Sequence, residues 1–201
     1  MTEDEAQRWV ETQFGAVALE RLMRFAELVR AEADRQNLVA PSTLPHLWVR
    51  HFVDSAQLLS WVPRGGAGWI DIGTGAGFPG VVVAALRHAP VTLVEPRARR
   101  VEFLASVCRE LDLDHVTIEG RRAEQVSGIY DVVSARAVAS TADLLAMTKH
   151  LRHDRTCIVL PRGRNGVGEL ASLPVEWQEM FHVKQSITDP ASVILVANGA
   201  S

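Results

Sequence analysis

The sequence predicts an α/β fold, in which a mostly parallel sheet is covered by helices on both faces. From residue 69 onward, short apolar runs alternate with stretches of helical spacing, which is typical of parallel strands joined by crossover helices. The first apolar run leads directly into a loop of alternating glycines, Gly73, Gly75 and Gly77. The 201 residues, of which 47% are hydrophobic and 22% charged, suit one compact unit with a helical N-terminal extension.

The N-terminal part of the chain is predicted to be helical. Apolar residues recur at spacings of three and four, which predicts helices over 3–13, 16–36 and 46–61. Pro41 and Pro45 separate the second helix from the third, and the run Pro-Arg-Gly-Gly at 63–66 predicts a closing turn. We therefore expect an N-terminal helical subdomain over 1–64 and an α/β domain over 65–201, packed as one unit.

The remainder of the chain predicts a seven-stranded sheet. The apolar runs predict strands over 69–72, 91–95, 115–118, 130–134 and 156–160, followed by strands near 177–186 and 191–197. Helical spacing predicts helices over 79–88, 97–112, 141–151 and 165–172. Because no helix is predicted between the last two strands, we expect them to form an antiparallel hairpin at one edge of the sheet.

Composition excludes several classes of protein. The formal net charge is −3, so a wholly basic nucleic-acid coat is not expected, although a local basic face is compatible with this value. The N-terminus is acidic, and no apolar run approaches a membrane span in length, so we expect a cytoplasmic protein that does not enter a membrane. Cys108 and Cys157 read as core residues, and the histidines show no metal-ligand spacing, so no metal site is predicted.

The glycine loop and one acidic residue predict a site for a nucleoside cofactor. Glycines without a Cβ at Gly73, Gly75 and Gly77 let the backbone approach a ligand closely. Glu95 ends the second apolar run about 20 residues beyond the first strand, where a carboxylate accepts hydrogen bonds from ribose hydroxyls.

Two cofactors fit these glycines. Gly75, Gly77 and Gly80 satisfy the G-x-G-x-x-G spacing of dinucleotide-binding folds. Asp71, followed by three alternating glycines, instead matches a site for S-adenosyl-L-methionine, which carries a sulfonium and an ammonium group and no phosphate. A carboxylate beside the loop favours cations and repels a diphosphate. The sequence therefore favours S-adenosylmethionine and leaves an NAD(P)-binding oxidoreductase as the alternative.

In a sheet of this kind, ligands bind at the carboxyl ends of the strands, where the strand order reverses. This rule gathers Gly73–Phe78 after the first strand, Glu95 after the second, Ala123 and Glu124 after the third, Ser134–Arg136 after the fourth, and Pro161–Gly163 after the fifth. Adenine is expected beside the third strand, and the transferred methyl group beside the fourth.

The chain resembles the RsmG family (also called GidB), the small-subunit ribosomal RNA guanine-N7 methyltransferases, over nearly its whole length. The residues that carry the resemblance are Asn37-Leu-Val-Ala40, Arg50-His-Phe-Val-Asp-Ser55, Asp71-Ile-Gly-Thr-Gly-Ala-Gly-Phe-Pro-Gly80, Arg99-Arg-Val-Glu-Phe-Leu104, Gly120-Arg-Arg-Ala-Glu124 and Ser134-Ala-Arg-Ala137. The resemblance implies a Rossmann-like methyltransferase sheet with a helical N-terminal subdomain, and it implies cofactor contacts by Gly73, Phe78, Ala123, Glu124 and Arg136. Many members have Lys-Gly after the fifth strand, where this chain has Arg162-Gly163.

The residues themselves agree with methylation at guanine N7. The position after the fourth strand holds Ser-Ala-Arg-Ala, not the (Asp/Asn)-Pro-Pro-aromatic element that holds an exocyclic amino group. Guanine N7 already carries a lone pair in the ring plane, so it needs no base before it attacks the methyl group. The enzyme is then expected to act by aligning the reacting atoms for in-line displacement.

Candidate catalytic residues are His51, Asp54 and Arg136. His51 and Asp54 lie three apart on a predicted helix and share a face, so they either shape the pocket or anchor the helices to the sheet. Several arginines at strand ends predict a basic rim for RNA phosphates: Arg97, Arg99, Arg100, Arg121, Arg122, Arg162 and Arg164.

The function predicted from the sequence is therefore transfer of a methyl group from S-adenosylmethionine to N7 of a guanine in 16S ribosomal RNA, by a monomeric enzyme. The substrate is either the RNA itself or the small ribosomal subunit. A non-catalytic RNA-binding module that keeps the cofactor fold is a further alternative, against which the intact glycine loop and Glu95 speak.

Overall fold

The computed structural model describes residues 1–33, 35–63 and 68–199. Most of the turn predicted at 63–66 lies outside the described residues, as does the boundary predicted between residues 64 and 65. The division into two units stays a prediction.

The N-terminal part is helical. Helix α1 (Glu3–Phe14) begins with a capping box, in which the hydroxyl of Thr2 accepts a hydrogen bond from the backbone N–H of Glu5 at 3.2 Å. Gly15, with φ +88°, separates it from helix α2 (Ala16–Ala33), which ends three residues earlier than predicted.

The third predicted helix is divided into several helical types. A 3₁₀ turn over Pro41–His46 precedes a π-helical stretch over Trp48–Val53, the short helix α3 (Asp54–Ala56) and another 3₁₀ turn over Gln57–Ser60. The carboxylate of Glu3 accepts the backbone N–H groups of Trp48 at 2.9 Å and Val49 at 3.0 Å, which joins α1 to this stretch. π-Helical turns are frequent at functional sites, and this one carries the predicted site residue His51.

The described residues form the predicted seven-stranded sheet. Its strands are β1 (Trp69–Ile72), β2 (Val91–Val94), β3 (Val116–Glu119), β4 (Val132–Ala135), β5 (Cys157–Arg162), β6 (Phe181–Gln185) and β7 (Val193–Asn198). The strand order is β3-β2-β1-β4-β5-β7-β6. The first five strands are parallel, and β7 lies antiparallel between β5 and β6, which confirms the edge hairpin. Strand order reverses between β1 and β4, so a ligand site is expected there.

Helices cover the sheet on both faces. They are α4 (Gly80–Leu86), α5 (Ala98–Glu110), α6 (Thr141–Met147), α7 (Gly166–Ala171) and α8 (Val175–Met180). The strand predicted from residue 177 is wrong in its first part, because α8 occupies those residues and β6 begins only at Phe181. Trp177 and Met180, spaced by three, both pack against the core on one face of the sheet.

Two hydrophobic clusters lie on opposite faces of the sheet. One cluster joins N-terminal residues such as Phe25 and Phe52 to Val81 of α4 and Leu104 of α5. The other lies under α6 and the β5–β7 pair. The N-terminal helices therefore share a core with the sheet. Of the helices described, none combines the length and apolar character that a membrane span requires.

Candidate functional site

A cavity of about 730 Å³ opens at the carboxyl ends of the strands, where the strand order reverses. The loops after β1, β2, β4 and β5 contribute to its wall, together with the segment 38–54 and the loop between β6 and β7. This size lies within the range of small-molecule and cofactor sites. The cavity lies where the strand-end rule predicts a ligand site.

Gly73 and Gly75 line this cavity with bare backbone. Both are left-handed, with φ of +64° and +61°, so residues with side chains are strained there. A Cβ on Gly73 would lie 2.5 Å from Cγ2 of Val138, and a Cβ on Gly75 would lie 3.2 Å from a guanidinium nitrogen of Arg100. Phe78, at the end of the same loop, also lines the cavity.

Gly77 has a different role from the one predicted. It is not among the described residues that line the cavity. A Cβ on Gly77 would lie 2.6 Å from Val81 Cγ2 and 3.0 Å from the ring of Phe25. Gly77 therefore allows α2 to pack closely against the glycine loop.

Asp71 supports the loop from behind and does not line the cavity. The carboxylate is fully buried and accepts hydrogen bonds from the backbone N–H of Gly80 at 2.9 Å and from the hydroxyl of Ser134 at 2.7 Å. Burial raises the pKa of Asp71 to about 6, although these hydrogen bonds act in the opposite direction. The predicted direct contact with a cationic ligand is thus corrected to a role in holding the loop against β4.

Glu95 lies in the cavity wall, as predicted. Its carboxylate accepts the backbone N–H of Gly75 at 3.1 Å and that of Arg97 at 2.9 Å, and one oxygen lies 3.7 Å from the guanidinium of Arg100. A carboxylate can accept about four hydrogen bonds, so capacity for ribose hydroxyls is left. Ala123 and Glu124 follow β3, at the sheet edge beyond β2, and lie outside the cavity lining. Their contact with adenine stays a prediction.

The structure brings His51, Asp54 and Arg136 together at one side of the cavity. The guanidinium of Arg136 donates a hydrogen bond to Nδ1 of His51 at 2.8 Å and another to the backbone carbonyl of Arg50 at 3.2 Å. It also lies 3.8 Å from a carboxylate oxygen of Asp54. Nε2 of His51 lies 2.9 Å from the hydroxyl of Thr43, so both ring nitrogens of this histidine have partners.

Electrostatics keep His51 of this cluster neutral. Burial, together with the neighbouring Arg136 and Arg50, lowers the pKa of His51 to about 3, so the ring is neutral at physiological pH. A neutral ring matches the geometry, because Nδ1 accepts a hydrogen bond from Arg136. Burial raises the pKa of Asp54, and Arg136 opposes that shift.

Phe78 connects the cluster to the core. The guanidinium of Arg136 lies over its ring at 5.4 Å, and the ring of His51 lies 5.0 Å away. Phe25 of α2 stacks against Phe78 at 5.1 Å. The N-terminal helices therefore help to fix the position of the Arg136 guanidinium.

The predicted basic rim is divided. The side chains of Arg97, Arg99, Arg121, Arg122 and Arg164 are exposed, as that model requires. Arg100 is half-buried against Glu95, and Arg162 is buried with only 7% of its surface exposed. Four strand spacings, or about 19 Å, separate β3 from β5, so the arginines at these strand ends do not form one cluster.

A polar network joins the β6–β7 loop to Asp54 and Arg50, and the sequence did not predict it. Thr188 donates a hydrogen bond to a carboxylate oxygen of Asp54 at 2.9 Å, and the amide of Gln57 donates to the same oxygen at 3.0 Å. On the same loop, Asp189 pairs with Arg50 at 3.3 Å. Thr188 and Asp189 lie more than 130 positions from Asp54 and Arg50, so no local pattern connects these partners.

The geometry fits S-adenosylmethionine. Gly73 and Gly75 place no side chain in the wall, and Glu95 offers a carboxylate in the same wall. In the part of the chain that the structure describes, no cluster of three or more histidine, cysteine, aspartate or glutamate residues could hold a metal ion.

Comparisons with known proteins agree with this geometry. The family model for rRNA small subunit methyltransferase G (GidB) matches residues 18–192. Proteins described as ribosomal RNA small subunit methyltransferase G are 46% identical to this chain in both Novosphingobium aromaticivorans and Sphingopyxis alaskensis. Each match covers 98% of this chain and 88% or 86% of the relative, respectively.

Solved structures with low sequence identity share the fold. A ribosomal protein L11 methylase from Lactobacillus delbrueckii subsp. bulgaricus has a TM-score of 0.60 at 12% identity, over 74% of this chain and 77% of the other. The M. jannaschii TYW2 structure in complex with AdoMet has a TM-score of 0.55 at 15% identity, over 71% of each chain. From the family match and its relatives, we conclude that this chain belongs to the rRNA small subunit methyltransferase G (GidB) family of S-adenosylmethionine-dependent methyltransferases.

Proposed function

We propose that this protein transfers a methyl group from S-adenosylmethionine to N7 of a guanine in 16S ribosomal RNA. The observation that carries the proposal is the cluster of His51, Asp54 and Arg136 beside the glycine loop, in a chain of this family. The NAD(P)-binding oxidoreductase is not supported, because the family consists of methyltransferases.

Methylation at N7 suits the hydrogen bonds of this cluster. Both ring nitrogens of His51 are engaged, by Arg136 and by Thr43, so the imidazole is not free to remove a proton from a substrate. Guanine N7 requires no such step, because its lone pair is already available. The cluster therefore acts by positioning, which removes much of the entropic barrier to a reaction between two bound molecules.

The cofactor supplies an electrophilic methyl group attached to a sulfonium. The backbone at Gly73 and Gly75 would hold the cofactor, and Glu95, which also lines the cavity, would accept hydrogen bonds from its ribose. Arg136 and Phe78 lie at the β4 side of the cavity, where the transferred methyl group is expected.

RNA is held by the exposed arginines around the cavity. Arg97 and Arg99 lie on the β2 side, Arg122 follows β3, and Arg164 follows β5. Their separation suits contacts to several phosphates along a strand, which fix the register of the RNA without reading its sequence. We propose a monomeric, cytoplasmic enzyme whose partner is 16S ribosomal RNA or the small ribosomal subunit.

The test uses purified protein, S-adenosylmethionine with a labelled methyl group, and two substrates from cells that lack the protein: deproteinised 16S ribosomal RNA and small ribosomal subunits. Borohydride reduction followed by aniline cleavage breaks the RNA at N7-methylguanosine and thus locates the product. One new cleavage site in either substrate supports the proposal. Incorporated label without a cleavage site would mean that another atom is methylated.

A further inference from the structure

Arg162 has a buried hydrogen-bond donor without a partner. It lies at the carboxyl end of β5, its side chain is only 5% exposed, and the residue lines the cavity. Its Nε lies 3.2 Å from both the carboxylate of Glu169 and the hydroxyl of Thr141. Nη1 makes two long contacts, of 3.4 Å each, with backbone carbonyls of Ala135 and Pro161. Among the described residues, Nη2 has no acceptor.

An unpaired buried donor on a charged group calls for an explanation. Nearly all buried polar groups in folded proteins have partners, and leaving one without an acceptor costs its desolvation. A purely structural role of Arg162 is already satisfied through Nε, which donates a hydrogen bond to the hydroxyl of Thr141 and forms an ion pair with Glu169. Nη2 is closed off in this structure, so an acceptor that arrives with a ligand reaches it only when the guanidinium turns further into the cavity that Arg162 lines, a movement that the two long contacts of Nη1 allow.

The position of Arg162 indicates which ligand supplies that acceptor. Glu95 and the glycine loop lie on the β1–β2 side of the cavity, and the cofactor is assigned to that side. Arg162 lies on β5, two strands beyond β1 in the opposite direction, at about 10 Å. That side of the cavity is left for the methyl acceptor. A phosphate would remain near solvent, whereas the side chain of Arg162 is buried, so a base edge is the better match.

We propose that Arg162 selects the target base by donating a hydrogen bond from its guanidinium to O6 of guanine. This inference rests on the proposed function and adds a residue that reads the base. O6 is the acceptor next to N7 on the same edge, so a donor there holds the ring while N7 stays free. Adenine presents an amino donor at that position, which would oppose the guanidinium donor. The base must leave its stack to enter the cavity, as in other enzymes that modify bases.

The experiment measures single-turnover methylation of a synthetic RNA fragment that contains the mapped target as guanosine, 6-thioguanosine or inosine. The fragment is used alone when deproteinised RNA is methylated, and rebuilt into small subunits when only subunits are. Sulfur at position 6 is a weak acceptor, whereas inosine keeps O6. We expect the wild-type enzyme to favour guanosine over 6-thioguanosine by about tenfold or more, because a site built around a hydrogen bond rejects an analogue that cannot make it. In Arg162→Gln, that preference should fall to within about threefold, with inosine following guanosine throughout.

Controls separate recognition from folding. The double variant Arg162→Gln/Glu169→Gln avoids leaving the Glu169 carboxylate without its ion-pair partner. Arg162→Lys keeps the positive charge at position 162. For each variant, thermal unfolding and S-adenosylmethionine affinity report whether the fold persists. Arg155→Gln, at a residue with 88% exposure that pairs with Asp154, is the matched arginine control and should keep the wild-type preference.

Two results would overturn the inference. One is an unchanged preference for guanosine in all folded Arg162 variants. The other is an equal loss of rate on all three substrates, which indicates a structural role. Failure of the proposed function looks different, since the wild-type enzyme would then produce no N7-methylguanosine in deproteinised 16S ribosomal RNA or in small ribosomal subunits.

Discussion

Replacing Gly73 with alanine tests the cofactor wall without introducing a charge. Gly73 has φ +64°, and an alanine in this left-handed region costs about 1–2 kcal/mol. The new Cβ would lie 2.5 Å from Val138 Cγ2, but Val138 is 41% exposed on a loop and can move aside. The free energy of unfolding should therefore fall by about 1–2 kcal/mol, which lowers the Tm by roughly 2–8 °C for a chain of this size.

The affinity for S-adenosylmethionine should fall further than the strain explains. The Cβ of Gly73→Ala enters the wall that the ligand must contact, so we expect at least a tenfold weaker Kd, or about 1.4 kcal/mol. Isothermal titration calorimetry measures the affinity, and thermal unfolding without ligand measures the stability.

Gly168→Ala is the matched control for this substitution. Gly168 lies in α7, and a Cβ there has nothing within 4 Å. Because alanine is favoured over glycine inside a helix, this variant should keep its affinity and gain up to about 1 kcal/mol of stability. Wild-type affinity in Gly73→Ala would refute the assignment of this wall to the cofactor, as would an equal loss of affinity in Gly168→Ala.

Four further predictions follow from the same geometry. Glu95→Ala should weaken S-adenosylmethionine binding by about 1.5–3 kcal/mol, since charged acceptors make the stronger hydrogen bonds; an unchanged Kd in calorimetry would exclude the ribose contact. Arg122→Ala should lower RNA affinity, and it should reduce the slope of log affinity against log salt concentration by up to about one unit. Arg100→Ala should also weaken cofactor binding, because Arg100 contacts Glu95. Identical effects of the two variants on RNA affinity, its salt dependence and cofactor affinity would contradict this distinction. Arg136→Ala should reduce the rate of single-turnover methylation at least about tenfold, which corresponds to about 1.4 kcal/mol of activation free energy. The change in RNA affinity should be smaller, and equal losses of rate and affinity would assign Arg136 to RNA binding. The pKa of His51 is lowered from 6.5 to about 3, so its stabilising contribution is complete above about pH 6.5 and is lost as the pH falls toward 3. Relative to His51→Gln, the free energy of unfolding of the wild type should fall by about 2 kcal/mol between about pH 7 and pH 5 in denaturant titrations. Parallel pH profiles of the two proteins would show that His51 titrates normally.

The sheet could be predicted from sequence because each strand is a short apolar run between turn-forming residues. The bounds of β1 agree with the prediction at both ends, Trp69 and Ile72. The same reasoning failed at 177–180, where apolar residues spaced by three form one face of α8 and pack on the core before β6 begins. Hydrophobic spacing also could not reveal the π-helical turn over Trp48–Val53, because it reports which face is buried and not which carbonyl accepts each hydrogen bond.

The sequence could predict which strand ends carry the site residues, but it could not predict which of these residues contact one another. His51 and Arg136 were both chosen from sequence, but their 2.8 Å hydrogen bond depends on how the N-terminal helices pack on the sheet. Asp71 shows the opposite case, since an acid beside a glycine loop can face a ligand or support the loop. Only the positions of Ser134 and Gly80 decide between these roles.

The basic rim failed in part for a topological reason. Arg121 follows β3 and Arg162 ends β5, but the order of the sheet places three strands between β3 and β5. Burial then separates Arg162 from the exposed arginines, because Glu169 and Thr141 hold it inside the cavity wall. Strand order and burial are tertiary properties that no local pattern encodes.

The most direct test of this account is a nucleotide-resolution map of N7-methylguanosine in 16S ribosomal RNA from cells with and without this protein. We expect one guanine to carry the modification only when the protein is present. Re-expression of the wild-type protein should restore it, and Arg136→Ala at equal abundance should not. Identical maps from the two strains would contradict the proposed function.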